Sequence, residues 1–329
     1  MKKSLLLLDL SVLSIKRIFS MGESGVFFSL VIMCIALTFL SPYFLTVDNL
    51  LNIVRQISVI AIISSGMTFA IIVGGIDLSV GSMVAFTGCL MALLMQKGID
   101  PWLSAIGGLA GGITMGAITG MFISRLRMPA FVATLGMMSF LRGMALTITD
   151  GWPIGLYDIS KKYKLFFLLG SGKIGIVPVQ AICMVIILII LHFVLSRMSF
   201  GHKVYAVGGN ERAAFISGIN VKNVKLIVFS LSGFLCAIAA VLSVTYIRAI
   251  EPMIGIGYEL DAIAAAVIGG TDLMGGSGTI LGTFLGACII GVLNNGLVLL
   301  GVSPFMQQSL IGLVVIGAVT IGLILKKSQ

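Results

Sequence analysis

A glycine-rich stretch near the C-terminus contains the Gly-x-Ser-Gly pattern that surrounds the nucleophile of some intramembrane proteases. The stretch is Gly275–Gly278, and its serine is Ser277. A nucleophilic serine needs a base to take its proton. Such proteases take their histidine from a later helix, whereas the two histidines of this chain, His192 and His202, both precede the serine. We therefore expect no catalytic residue here and predict that Ser277→Ala leaves any activity unchanged.

A second stretch, Leu169–Lys173, ends in the Gly-Ser-Gly-Lys of a phosphate loop. The first glycine of that loop is missing, and Ile174 replaces the serine or threonine that would hold magnesium. The five cysteines lie in apolar segments without a CxxC pair or a histidine at ligand spacing. The sequence therefore predicts no nucleotide site, no metal site and no other cofactor of this chain's own.

One acid-bearing pattern, Gly-Gly-x-Asp-Leu, occurs twice, each time directly after an apolar stretch. Its copies supply six candidate pathway or gate residues, Gly74, Gly75, Asp77, Gly269, Gly270 and Asp272. Paired Gly-interrupted apolar segments point to broken helices beside a translocation path. Two tight turns of similar composition would give the same pattern, but a carboxylate in lipid is costly and a turn does not require one. We therefore favour a functional role for both.

Two adjacent amides, Asn294 and Asn295, lie in a strongly apolar segment, where lipid offers them no hydrogen-bond partner. They fit either a path for a hydroxyl-rich solute or hydrogen bonds between helices. We include both among the candidate pathway residues, and both interpretations stay open at this point.

A third polar group combines Arg248 with Glu251, Glu259 and Asp261. These side chains fit an ion-pair cluster, a proton-coupling site or a docking surface for an external protein. We favour docking or structural pairing.

The composition requires a membrane around these residues. Of 329 residues, 58% are hydrophobic and 10% are charged, and the mean hydropathy is +1.16. This composition is far from that of a soluble domain. The net charge of +9 is dispersed over the ends of apolar segments and forms no stripe with interleaved aromatics, which argues against nucleic acid as a partner. The chain is therefore expected to be a single, all-α integral membrane domain.

We predict about ten transmembrane helices, the eighth being short. They lie near residues 25–43, 53–73, 80–95, 102–123, 129–148, 176–195, 226–247, 258–268, 279–300 and 304–325. Most lysines and arginines then lie on one side, so the positive-inside rule puts both termini in the cytoplasm. Residues 1–24 form a cytoplasmic or interfacial N-terminal segment, 25–325 the transmembrane domain and 326–329 a cytoplasmic tail.

The largest charged island covers residues 196–225, between the sixth and seventh predicted spans, and its loop runs over 197–225. Within it, Asn210 can cap a helix, Glu211 supplies an acidic first turn and Gly218 can end it. A helix of about eight residues is marginal alone, so it should lie against something larger. We predict that this short helix meets a soluble partner.

Several longer segments resemble the permease subunits of bacterial ABC importers of the ribose and monosaccharide type. The resemblance runs through nearly the whole chain. It is most specific in GGIDLSVGS (74–82), PAFVATL (129–135), GGNERAAFISGINV (208–221), GYELDAIAAAVIGGT (257–271) and LNNGL (293–297).

The resemblance implies a multi-pass permease of the bacterial inner membrane, surrounded by lipid, that imports a ribose-like pentose or a hexose. It also implies a second permease copy (the same chain or a related one), a cytoplasmic subunit that binds and hydrolyses ATP, and a periplasmic sugar-binding protein. By the same resemblance the short helix is the coupling helix. Its candidate residues are Gly209, Asn210, Glu211, Arg212, Ala213, Ala214, Phe215 and Gly218. The alternative is an ion-coupled secondary transporter in which Asp77 or Asp272 changes state in each cycle.

Overall fold

The computed structural model describes residues 23–303, 306–307, 309–314, 316–317 and 320. Most of the predicted N-terminal segment, half of the predicted tenth span and the predicted C-terminal tail lie outside these residues. The described chain is predominantly helical. Its helices are α1 (Glu23–Leu40), α2 (Val47–Ile72), α3 (Val80–Gln96), α4 (Pro101–Ser124), α5 (Ala130–Thr149), α6 (Tyr157–Lys162), α7 (Lys164–Ser171), α8 (Val179–Arg197), α9 (Ser199–Gly209), α10 (Glu211–Ile216), α11 (Val221–Ile247), α12 (Tyr258–Ile268) and α13 (Ile280–Leu299).

Seven of these helices, namely α1, α2, α4, α5, α8, α11 and α13, are long and apolar enough to cross a membrane. Each of the first nine predicted spans coincides with a helix, and the short eighth span is α12. The 17 residues of α3 and the 11 of α12 are too few to qualify by length alone. A multi-pass helical membrane protein is therefore confirmed, and the number of ten spans stays a prediction.

Helix α2 occupies the centre of the fold. In its most apolar window 89% of the residues are buried, against 11% in α1 at the edge. Residues 57–72 of this helix are all buried. Three of its four hydroxyl side chains bond to carbonyls one turn back, as Ser65 does to Ala61 at 2.7 Å, while the Ser64 hydroxyl has no partner among the described residues. The Thr68 hydroxyl also meets that of Thr283 in α13 at 2.6 Å. Such pairing lets polar residues sit inside a membrane protein without unsatisfied groups.

Helices α4 and α11 pack closely because α4 carries glycine at every fourth position along one face. A Cβ atom at Gly112 would run into the carbonyl of Gly233, and one at Gly116 would run into that of Phe229. A Cβ at Gly120 would lie 2.9 Å from Cα of Leu226. Small residues at this spacing allow two backbones in a membrane to approach one another.

On the side predicted to be outside, the segment between α5 and α8 contains the short helices α6 and α7 and takes part in two short antiparallel strand pairs. Strand β1 (Ile154–Gly155) pairs with β4 (Ala249–Ile250), and β2 (Lys173–Ile174) pairs with β3 (Val177–Pro178). The first pair joins the loop after α5 to the loop after α11. It therefore braces this face across two helices distant in sequence.

The segment after β4 is held by Arg142 of α5, whose guanidinium donates to the carbonyls of Pro252 at 2.5 Å and of Ile254 at 2.8 Å. Glu259 lies near enough to this arginine to interact with it electrostatically. Arg248 and Glu251 are both exposed, and neither belongs to an ion pair in the part of the chain that the structure describes. The polar group therefore forms no ion-pair cluster around Arg248 within the described chain.

Candidate functional site

The first Gly-Gly-x-Asp-Leu segment ends α2 in a Schellman motif. Gly74 has a positive φ of 81° and donates its N–H to the carbonyl of Ile71 at 2.9 Å, while Gly75 donates to that of Ala70 at 2.9 Å. The left-handed conformation at Gly74 explains why glycine stands there. The chain then turns through residues 75–79 and enters α3, so the predicted break between two apolar segments is present.

The second copy ends α12 in the same motif, shifted by one residue relative to the sequence pattern. Gly270, with φ of 90°, donates to Val267 at 2.9 Å, and Thr271 donates to Ala266 at 2.9 Å. Gly270 is therefore the structural counterpart of Gly74, although the sequence pattern pairs Gly74 with Gly269. A helix C-terminal motif needs one left-handed residue, and either glycine of the pair can supply it.

Asp77 is buried, with 3% of its surface exposed, and both of its carboxylate oxygens accept hydrogen bonds. Oδ1 accepts from the Ser79 amide at 3.0 Å and from the Ser79 hydroxyl at 2.5 Å. Oδ2 accepts from the hydroxyl of Ser232 in α11 at 2.7 Å. The carboxylate therefore shapes the entry to α3 and ties that loop to α11, away from lipid.

Asp272 is half-buried and shapes the turn that follows α12. Its Oδ1 accepts from the Met274 amide at 3.0 Å, its own amide donates to the carbonyl of Ser277 at 3.1 Å, and its carbonyl accepts from Gly275 at 2.9 Å. Both aspartates thus bond to the amide two residues ahead. Their part in a pathway or gate stays a prediction.

The two asparagines of α13 have different surroundings. Asn295 and Asn49 of α2 exchange hydrogen bonds of 2.8 and 3.0 Å between their amides, which pins α13 to α2. Oδ1 of Asn294 is buried and accepts no hydrogen bond from the described residues. The interhelical interpretation therefore describes Asn295, whereas the part of Asn294 in a pathway stays a prediction.

The short helix α10 has the ends that its sequence specifies. The Asn210 side chain accepts from the Ala213 amide at 2.9 Å. At the other end Gly218 has φ of 84° and donates to the carbonyl of Phe215 at 3.0 Å. Ala214 faces the protein and is buried, while 71% of Phe215 is exposed. Together with Ile216, which is 76% exposed, this gives an unusually apolar tip for a charged loop.

A groove of about 980 Å³ lies beside α10. It joins the candidate coupling residues to the first broken helix, by which we mean α2 and α3 with the turn at residues 73–79 between them. Gly74 and Gly75 line it together with Arg212. Lys225 of α11 borders it and bonds to the Glu211 carboxylate at 2.6 Å, with 17% of the lysine side chain exposed. The structure therefore brings two of the sequence-predicted groups, the short helix and the first glycine pair, to one surface.

Helix α9, which precedes the short helix, was missed by the sequence prediction, which treated these residues as loop. Its signal was available, because Gly201, Val204 and Val207 recur at helical spacing and all three are buried. The many charges of the island obscured it. Helix α9 is the larger element against which the short helix was expected to lie.

No set of three or more metal-ligating side chains occurs in the part of the chain that the structure describes.

Comparison with known proteins gives the family. Residues 49–319 match the model described as the permease component of the branched-chain amino acid transport system. The chain is 44% identical to the ribose import permease of Bacillus subtilis over 295 residues, which cover 90% of this chain and 91% of that protein. It is 42% identical to the D-allose transport system permease of Escherichia coli over 305 residues, 92% of each chain.

It is also 36% identical over 294 residues to a probable ABC transporter permease of Escherichia coli, covering 89% of this chain and 87% of that one. No solved structure matches. The resemblance found in the sequence motifs is confirmed by these matches. The chain therefore belongs to the family of permease components described as the branched-chain amino acid transport system type.

Proposed function

We propose that this chain is the membrane-spanning permease of an ATP-binding-cassette importer that carries a monosaccharide, a ribose-like pentose or a hexose, across the bacterial inner membrane. The observation that carries the proposal is the 44% identity to a ribose import permease over 90% of the chain. ATP is bound and hydrolysed by a separate cytoplasmic subunit, and this chain contributes the path and no catalytic residue.

A neutral substrate agrees with the polar groups inside the fold. Asp77 already accepts three hydrogen bonds from protein donors, which leaves it poorly suited to exchange protons with a passing solute. Asn294 keeps a buried acceptor that a sugar hydroxyl can use. These two features favour a sugar path over the alternative of ion-coupled transport through a buried carboxylate.

The short helix α10 is proposed to be the coupling helix that seats in the ATPase. Support comes from its two exposed apolar side chains, Phe215 and Ile216, next to the charged Glu211 and Arg212. A mixed tip of this kind suits a protein groove better than water. Because the groove beside α10 reaches Gly74, movement of the seat can alter the first broken helix directly.

The proposed assembly contains a second permease copy, the ATPase subunits on the cytoplasmic side and a sugar-binding protein on the periplasmic side. The orientation, with both chain termini in the cytoplasm, is supported by the basic residues of the island around α10. Lipid surrounds the assembly. Nucleic acid is not among the proposed partners.

The coupling assignment is tested by replacing Glu211 and Arg212 together with alanine. We expect the double variant to lose most ATP-driven uptake and to hold the ATPase less tightly, because both side chains lie at the proposed seat. A matched control replaces Asp158 and Lys161, a charged pair 3.5 Å apart on the face predicted to be outside. Uptake and complex assembly at wild-type levels in the double variant would end the coupling assignment.

A further inference from the structure

The C-terminus of α9 packs against two other segments through bare backbone. A Cβ atom on Gly208 would run into the carbonyl of Ile72, the last residue of α2, and would lie 2.7 Å from the Gly276 amide. Gly276 in turn donates its N–H to that same Ile72 carbonyl at 2.9 Å. The end of α2, the end of α9 and the loop after α12 therefore meet at one point, which we call the glycine junction (Ile72, Gly208 and Gly276).

A side chain of α9 makes a second tie to the same loop. The hydroxyl of Tyr205 donates to the carbonyl of Gly278 at 2.6 Å. Burial raises the pKa of the Tyr205 phenol, so the hydroxyl keeps its proton and stays a donor. Tyr205 and Gly208 lie three residues apart in the helix and therefore face the same side. The loop is thus held at two places along one face of α9.

Helix α9 is linked as firmly to the short helix on its other side. Asn210 is the single residue between the two helices. Its amide donates to Ala206 of α9 at 3.1 Å, and its side chain caps α10 through Ala213 at 2.9 Å. A displacement of α10 is therefore expected to carry the end of α9 with it.

We propose that Tyr205 and Gly208 are positioning residues that transmit movement of α10 to both broken helices at once, through the glycine junction. The inference rests on the proposed function, in which α10 is moved by an ATPase. The junction includes Ile72, the last residue of α2, which lies two positions before Gly74. It also includes Gly276 of the loop between α12 and α13, the loop that carries Gly270 and Asp272. Because no side chain fills the contact at Gly208, no rotamer change can absorb the displacement before it reaches the loop.

The loop itself has the backbone freedom that such a role requires. Gly270, Gly275 and Gly276 all have positive φ values, of 90°, 89° and 79°. The hydroxyl of Thr271, although buried, has no hydrogen-bond partner among the described residues. These features suit a segment that has a second arrangement available.

The test uses the full chain reconstituted in lipid vesicles with its ATPase and sugar-binding protein, with D-ribose and ATP as the probes. The variants are Tyr205→Phe, which removes one hydroxyl, and Gly208→Ala, which wedges the junction apart. Gly143→Ala in α5, where a Cβ would meet nothing within 4 Å, and Tyr43→Phe, at a residue 67% exposed, are the matched controls. The readouts are sugar transported per ATP hydrolysed and the amount of ATPase held.

We expect Tyr205→Phe to bind the ATPase normally and hydrolyse ATP but to transport about five-fold less sugar per ATP, the order of effect expected from one lost hydrogen bond. Gly208→Ala should lower the ratio further. If it fails to assemble, Tyr205→Phe decides alone. A wild-type ratio in Tyr205→Phe would overturn this inference while leaving the proposed function intact. Failure of the wild-type chain to show ATP-driven uptake would overturn the proposed function and this inference together.

Discussion

Substitutions of the buried residue Asp77 distinguish the two functions that the sequence analysis left open, an ATP-driven sugar permease and an ion-coupled transporter. In an ion-coupled transporter an aspartate of this kind must gain and lose a proton or an ion, so its amide analogue should be inactive. In the structure the carboxylate is a tie that joins the α2–α3 loop to Ser232, and its work is to accept hydrogen bonds. The substitutions Asp77→Asn and Asp77→Ala distinguish these roles.

Asn at position 77 can keep all three contacts. Its Oδ1 accepts from the Ser79 amide and hydroxyl as the carboxylate does, and its Nδ2 donates to the Ser232 hydroxyl, which can accept as well as donate. Ala at position 77 loses all three. At about 1.5–3 kcal/mol for each hydrogen bond to a charged group, the upper bound is roughly 4.5–9 kcal/mol. Relaxation recovers part of this, and we expect a loss of about 3–4 kcal/mol in the free energy of unfolding.

The assays are thermal unfolding of the detergent-purified chain and sugar uptake in vesicles. We expect Asp77→Asn to unfold within about 2 °C of wild type and to retain most of its uptake, and Asp77→Ala to unfold at least about 5 °C lower. An Asp77→Asn chain that is fully stable but has lost uptake more than about ten-fold would refute the structural reasoning, because a proton or ion on the carboxylate would then be needed.

Three further substitutions test the packing that holds the site. Gly116→Val should lower the free energy of unfolding by about 2 kcal/mol, measured by thermal unfolding, because its side chain meets the α11 backbone. Asn295→Ala should cost about 1 kcal/mol, and a double-mutant cycle with Asn49→Ala should give a coupling energy of about 0.6 kcal/mol. Arg142→Met should speed proteolysis within residues 251–257 about ten-fold, because two hydrogen bonds to that loop are lost.

Controls and contrary results follow from the same contacts. Gly136→Val, where a Cβ meets nothing within 4 Å, should be nearly neutral, and equal losses at positions 116 and 136 would contradict the close approach of α4 to α11. A zero coupling energy between Asn49 and Asn295 would contradict their reciprocal bond. Proteolysis that responds equally to Arg248→Met, at an exposed arginine, would show that Arg142 is not the tie.

Most of the helices were predictable from the apolar segments, because lipid demands long apolar runs and internal hydrogen bonding. The ends of α10 were also predictable, since Asn210 and Gly218 have local conformational roles that need no tertiary contact. The short helices α6, α7 and α9 were missed. They have 6, 8 and 11 residues, so none is a run long enough to span a membrane, and a search for such runs passes over them.

Less of the candidate site than of the fold could be predicted from the sequence. The repeated Gly-Gly-x-Asp-Leu pattern correctly indicated two helix ends, but its register was off by one, because only φ shows that Gly270 is the left-handed residue. The partners of Asp77 and Asn295 on other helices, Ser232 and Asn49, lie 155 and 246 residues away in the chain, beyond the reach of any local pattern. The contact at Gly208 is between backbones, and backbone contacts leave no compositional trace beyond the glycine itself.

The most direct test of the central claim is uptake of D-ribose by vesicles that contain this chain, its cytoplasmic ATPase and its sugar-binding protein. The account predicts uptake that requires ATP inside the cytoplasmic compartment and that persists when an uncoupler abolishes the proton gradient at constant ATP. Uptake by the chain alone that collapses with the uncoupler would contradict it and would identify an ion-coupled transporter instead.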